Sequence, residues 1–405
     1  MANAKKVAIR MYNVGLGDSF LLRFPDGDGE RKVLIDCGVH MSGPGPHAMS
    51  EVVDQILSDV TDADGKPRID IVIATHRHRD HVSGFESERW GEVEVGEVWL
   101  PWTEHPTDPD AKAIRDKQSK AGKSARDALA AFGARREILE IVDNSLTNAK
   151  AMATLQEGWS NKPKIRFLPP TQRSAQTFQT DVLPGVTVHA MGPSRDPEVV
   201  RDMDPPKGGA YELRMAALQA NDDGDAITIF PKTFIVKDDA RAKQLDAFGL
   251  KDKDIEDLRN LANEDSFGVA VQIDKAVNGT SLMLMFEVGR AHLLFPGDAQ
   301  WGTWQNAMAD TEFKDLLMKT NFLKVGHHGS HNATPKKFVE EVLQKGKFIG
   351  MICTRETKKF KKIPLESLVD SLGEHSAGIA RSDRTDDVKG FKRTGDKYTD
   401  TSVTI

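Results

Sequence analysis

Cysteine is nearly absent from this chain: there are two in 405 residues, Cys37 and Cys353, each inside an apolar run that reads as a strand. That scarcity excludes a disulfide scaffold and fits a reducing compartment, the cytoplasm. Long apolar runs are missing as well. The longest, Ser281 to Phe286, falls far short of the roughly 18 to 20 residues that cross a bilayer, and no signal-type apolar core opens the sequence. No membrane association is expected. Positive charge is not in excess either, the formal net charge being −6. A protein that coats nucleic acid needs a net basic face, so that class is excluded. The lysine-rich stretch from Lys336 through Lys362 reads as solvated surface, and the acid-rich counterpart runs from Asp196 to Asp265. There is no internal repeat and no low-complexity segment.

What is present is ordinary globular material, 39% hydrophobic and 29% charged, enough to build a full core. The chain reads as one domain over 1–405, with a helical segment at 102–160 and a change of composition at 194–263 that marks an insertion, a candidate lid. The opening alternates as a β-meander: Val7 to Val14, Ser19 to Phe24, then Lys32 to Asp36. Helical spacing follows from His47 to Val60, and the buried-strand run Ile69 to Ala74 leads straight into a histidine cluster. Further strands are expected at Gly96 to Pro101, Ile165 to Leu168, Val186 to Met191, Phe267 to Ile273, Ser281 to Val288, Ala291 to Pro296, Asn321 to Val325 and Lys347 to Thr354. Helices are expected at Thr303 to Met318, Pro335 to Leu343 and Pro364 to Leu372. Strand-rich halves alternating with helices predict an α/β sandwich flanked by helices.

The chemistry is carried by Thr75-His76-Arg77-His78-Arg79-Asp80-His81. Divalent metals such as zinc bind imidazole nitrogen and carboxylate oxygen converging from a rigid base, and strand ends supply that rigidity. Four potential ligands within six residues can divide between two adjacent ions, His76 and His78 on one, Asp80 and His81 on the other. Two more strands end in donors. Leu293 to Phe295 runs into Pro296-Gly297-Asp298, where Asp298 either bridges two metals or caps a helix. Leu323 to Val325 runs into Gly326-His327-His328-Gly329-Ser330.

Together with Asp36-Cys37-Gly38, these segments resemble the successive metal-binding motifs of the metallo-β-lactamase superfamily. Asn13 to Ser19, Leu34 to Gly38 and Leu323 to Ser330 are similar, more narrowly, to the soluble hydrolase domain of ComEC-type competence proteins. The tail around Asp383 to Asp386 also looks like that group. The resemblance implies a four-layer αββα sandwich, two divalent ions, zinc or manganese, and a metal-bound hydroxide as nucleophile. It implies His76, His78, Asp80, His81, Asp298 and His327 as ligands, with Asp80, Asp298 and His328 catalytic and Asp36 orienting the loop from behind. His327 is preferred over His328 because it comes first after the strand.

Two departures stand out. The superfamily's third histidine for the first ion has one counterpart near a strand, His189, which lies mid-strand and reads better as a core histidine. The ComEC-like pattern has Asn-x-x-Ser there instead, read at Asn263 to Ser266, so Asn263, Asp265 or water is the alternative donor. Lys362-Ile363-Pro364 stands where relatives often have His-Pro. The expected function is metal-dependent hydrolysis of a phosphodiester, a nucleotide or nucleic acid, as a phosphodiesterase or nuclease. A lactone or thioester hydrolase and a non-catalytic binding module are the alternatives, and oligomeric state is left open.

Overall fold

The computed structural model describes residues 5–131, 133–146, 148–170, 175–196, 199–200, 270–330, 332–357 and 362–405. The insertion expected at 194–263 therefore lies almost wholly outside the described residues, as do Asn263 and Asp265. In the first sheet the strands β1 (Lys6–Tyr12), β2 (Ser19–Asp26), β3 (Gly29–Cys37), β4 (Arg68–Ile73), β5 (Glu94–Pro101) and β6 (Lys164–Leu168) lie side by side in chain order. The second sheet carries β7 (Gln176–Phe178), β8 (Thr187–Gly192), β9 (Met283–Val288), β10 (Ala291–Phe295), β11 (Phe322–Lys324), β12 (Ile349–Ile352) and β13 (Gly378–Arg381), again in sequence order. The chain then returns to the first sheet through β14 (Lys392–Thr394) and β15 (Tyr398–Thr404), with β15 antiparallel to β1. Cys37 and Cys353 are both free and buried.

The layers follow from the period-two pattern of strand side chains. In and beside β9, Leu282, Leu284 and Phe286 face the first sheet's core, whereas Met283 and Met285 face outward onto helices. Aromatic contacts fasten the two sheets, Phe20 to Phe295 at 5.7 Å and Phe24 to Phe286 at 5.8 Å between ring centroids. Each such fully buried ring contributes on the order of 2 kcal/mol by leaving water. Helix α1 (Met49–Val60) lays Val53, Ile56 and Val60 on the core of the first sheet. Helices Trp301–Ala309, Thr311–Met318 and Glu366–His375 cover the outer face of the second. The fold is the four-layer αββα sandwich that the resemblance implied.

Some expectations change. The single helix expected at Thr303 to Met318 is two, because Asp310 accepts a hydrogen bond from the Phe313 amide at 3.0 Å and starts a new helix. The strand expected at Phe267 to Ile273 is overturned where it is described: residues 270–278 are helical. Its β-branched residues suited a strand, but Ala270, Ile273 and Val277 recur at helical spacing, and Ala270 and Ile273 join a small apolar cluster of helices. A short helix, α2 (Arg79–Val82), precedes β5, and the helical segment resolves into α3 (Pro109–Ala131), α4 (Arg136–Leu146) and α5 (Ala149–Glu157). Among the described residues no helix is long and apolar enough to cross a membrane.

Candidate metal centre

Parallel strands β3, β4, β10, β11 and β12 all deliver their carboxyl ends to one place, and the polar residues just beyond those ends converge there. After β4 the chain passes through Thr75 and His76 into α2, with His78 at its N-cap and Asp80 and His81 in its first turn. This tight approach needs glycine at position 38. A Cβ there would lie 2.6 Å from the Arg79 carbonyl oxygen. Gly297, at φ +56°, similarly lets the turn before Asp298 pass against Thr75. His327 and His328 themselves have φ of 45° and 54°, a left-handed conformation uncommon outside glycine and typical of functional turns.

The buried side chains then meet. His76 Nε2 and His78 Nδ1 are 3.0 Å apart, His81 Nε2 and Asp298 Oδ2 are 3.1 Å apart, and His328 Nε2 and Asp80 Oδ2 are 3.1 Å apart. Two sets of three donors could each hold an ion, His76 with His81 and Asp298, and Asp80 with His81 and His328. A third set, Asp18, Asp36 and His81, is already served by a cation, the Lys324 ammonium paired with Asp18 and 3.5 Å from Asp298 Oδ1.

Tautomers show what the meeting atoms need. The Asp36 carboxylate accepts from the Thr75 amide at 2.7 Å, from Thr75 Oγ1 at 2.8 Å and from His81 Nδ1 at 2.8 Å. Thr75 Oγ1 thus spends its hydrogen on Asp36 and accepts from His76 Nδ1 at 3.2 Å, which leaves His76 Nε2 bare. His328 Nδ1 donates to the Cys353 carbonyl at 3.0 Å, so its Nε2 likewise presents a lone pair toward Asp80 unless protonated. A bare nitrogen facing a carboxylate repels it unless a proton or a metal ion stands between them.

The electrostatics agree. Burial lowers His76 well below the ordinary histidine value and lowers His78 to about 4, so both are neutral donors. Burial also lowers His81, but Asp298 and Asp36 outweigh it and raise it well above that value, and Asp80 raises His328 against the same burial. Burial pushes Asp80 and Asp298 up, yet the His328 bond at Asp80 and the His81 charge at Asp298 hold both well below the usual carboxylate range. Asp274, in helix 270–278, is pushed up to about 8 by burial and by the charges of Asp80 and Asp298. Neutral His76 and His78, together with His81 and His328 whose protons face Asp298 and Asp80 where a metal ion could replace them, are a donor set that fits divalent ions.

Asn263 and Asp265 aside, which lie outside the described residues, each anticipated residue has a place. His76, His78, Asp80, His81, Asp298 and His328 form one buried cluster. His327 is at its rim, 15% exposed, with Nε2 4.0 Å from both Asp298 Oδ2 and Asp274 Oδ2. His189 lies on β8 with Thr177 and Glu287, each 2.9 Å from one of its ring nitrogens. Pro364 packs on the histidine turn, where a Cβ on Gly329 would come 2.8 Å from its Cβ. In the tail, Asp383 pairs with Arg381 and Arg384 with Glu356.

Other residues at the centre had no role assigned from the sequence, Asp18 among them although it lies in the Asn13 to Ser19 motif. Asp18 is fully buried beside Lys324 and 3.6 Å from His81 Nδ1. The Asn-x-x-Ser spacing occurs a second time, at Asn278 to Ser281, immediately before β9. There Ser281 Oγ accepts from the Asp298 amide at 3.3 Å, and Asn278 donates to Asp274 at 3.1 Å while its own buried Oδ1 has no hydrogen-bond partner. Proximity to a strand start is the signal that distinguishes this copy. Asn144 and Ser145 of α4 carried no signal at all.

No family model and no curated protein matches the chain. Among solved structures it is similar to Zn(2+)-bound PqqB from Methylobacterium extorquens, with 11% identity, a TM-score of 0.39, and 94% of this chain and 99% of that chain covered.

Proposed function

We propose that this chain is a metal-dependent hydrolase of the metallo-β-lactamase type, acting on phosphodiesters of the nucleotide or nucleic-acid kind. The observation that carries the reading is the meeting of His76, His78, Asp80, His81, Asp298 and His328 in one buried cluster whose facing atoms call for cations. In this reading His76 and His78 hold one ion, Asp80, His81 and His328 the other, and Asp298 lies between. His328 thereby takes the ligand position for which the sequence favoured His327. Zinc or manganese bound there lowers the pKa of water and stabilises charge on the oxygens of a displacement at phosphorus.

The chain's own residues supply the rest. Asp36 holds Thr75 and His81 in orientation through three hydrogen bonds. Lys324 offsets the charge of Asp18 and Asp298 from the core side. His327, at the partly exposed rim, is placed to meet substrate oxygen. Purified chain incubated with bis(p-nitrophenyl) phosphate, DNA, cyclic nucleotides, a lactone and a thioester, with manganese or zinc, tests the reading. Turnover of the phosphodiesters, lost in His78→Ala, is expected. Turnover of the carbonyl compounds alone would refute the phosphodiester assignment, and no turnover of any of them would refute the enzyme.

A further inference from the structure

The HxHxDH loop is held not by the sandwich alone but by a helical cap packed on it. Leu129 of α3, Ile138, Ile141 and Val142 of α4, and Ala270 form an apolar cluster separate from the two clusters of the sandwich. On α4 the residues that follow this apolar face are Asn144 and Ser145, 3% and 7% exposed. A buried amide and hydroxyl are costly unless their hydrogen bonds are made.

Both find partners on the metal loop. Asn144 Nδ2 donates to Asp80 Oδ1 at 3.0 Å, and the Asp80 amide donates to Asn144 Oδ1 at 3.2 Å. With Oδ1 engaged in that way, Asp80 turns Oδ2 toward His328. The next residue, Ser145, places Oγ 2.9 Å from His78 Nε2. Because His76 Nε2 is bare, His78 Nδ1 has a choice. It either donates to His76, with Ser145 donating to His78 Nε2, or it is bare too, with His78 Nε2 donating to Ser145. The hydroxyl serves both states, being donor and acceptor. Helix 270–278 adds a carboxyl group, Asp274, whose Oδ1 lies 3.6 Å from the same His78 nitrogen.

We propose that α4 is the outer shell of the metal centre, with Asn144 and Ser145 as positioning residues that set Asp80 and His78 for an ion. The inference rests on the metal reading above. Outer-shell partners of metal ligands typically matter by about 10- to 100-fold in affinity.

The test is titration of chelator-stripped full-length chain with Co²⁺ against a competing chromophoric chelator, recording the visible cobalt spectrum and the thermal midpoint of each variant. Asn144→Ala and Ser145→Ala should each weaken Co²⁺ binding by about 10- to 100-fold and alter the cobalt absorption. Ser145→Thr, which keeps the hydroxyl, should restore wild-type binding. Lys117→Ala, on the exposed side of α3, should match wild type. Equal loss in Ser145→Ala and Ser145→Thr would overturn the role of the hydroxyl. Wild-type affinity and spectrum in both alanine variants would overturn this inference while leaving the metal centre standing. A wild-type chain that takes up no Co²⁺ would overturn the metal reading and this inference with it.

Discussion

His328 Nε2 lies 3.1 Å from Asp80 Oδ2, a contact between residues 248 positions apart in sequence. It joins the two halves of the sandwich at the point where an ion would sit. His328 is 2% exposed on its side chain and His327 is 15% exposed. His328→Ala should therefore abolish binding of one metal equivalent, measured by elemental analysis after dialysis, whereas His327→Ala should retain it. The reverse ranking would return the ligand role to His327.

Asp36 makes three hydrogen bonds and is itself in the left-handed region, at φ 56°. Asp36→Asn replaces an acceptor-only carboxylate with an amide that can satisfy Thr75 or His81 but not all three donors. Metal affinity, read by chelator competition, should fall about 10- to 100-fold. Unchanged affinity would show that the histidine loop is held without it.

Lys324 is buried between Asp18 and Asp298. Lys324→Met keeps the packing and removes the charge, leaving Asp18 without its ion-pair partner. Removing one partner of a buried pair costs about 3 to 5 kcal/mol, so denaturant unfolding should show a loss of that size. A loss below about 1 kcal/mol would show that this buried ion pair does not hold the fold together.

The ion-stripped chain should respond to pH in a way the loaded chain does not. His81 and His328 are raised in the fold, so their stabilisation is complete below the unfolded histidine value of about 6.5 and is lost as pH rises through their folded values. His76 and His78 are lowered, and their contribution is lost as pH falls from about 6.5 toward their folded values. The contribution of these four histidines thus peaks near about pH 6.5 when no ion is bound. Bound ions replace the protons of His81 and His328, so the loaded chain should keep its thermal midpoint on the alkaline side. Parallel alkaline falls in both forms would contradict this.

Much of this was legible in the sequence, for reasons specific to each element. The runs Ile71 to Ala74 and Leu293 to Phe295 are continuous and apolar because these strand segments are buried on both faces, and each leads into donors. Gly297 and Gly38 mark turns that only glycine fits so closely. Residues 270–278 misled because Val271 and Ile273 favour strands locally, while packing against α3 and α4 decides for helix. Asn144 and Ser145 were invisible because a buried polar residue on an amphipathic helix looks, in sequence, like one facing water. The choice between His327 and His328 could not be made from order along the chain, since two successive left-handed residues turn the second ring inward.

In the proposed reading, metal held by this cluster performs the hydrolysis. The most direct measurement is the initial rate of bis(p-nitrophenyl) phosphate hydrolysis by chelator-stripped chain as zinc or manganese is added back, for wild type and Asp298→Ala. A rate that is absent without metal, rises to saturation with it, and falls by at least about 100-fold in the variant is the predicted result. A rate indifferent to metal, or unchanged in Asp298→Ala, would contradict the account.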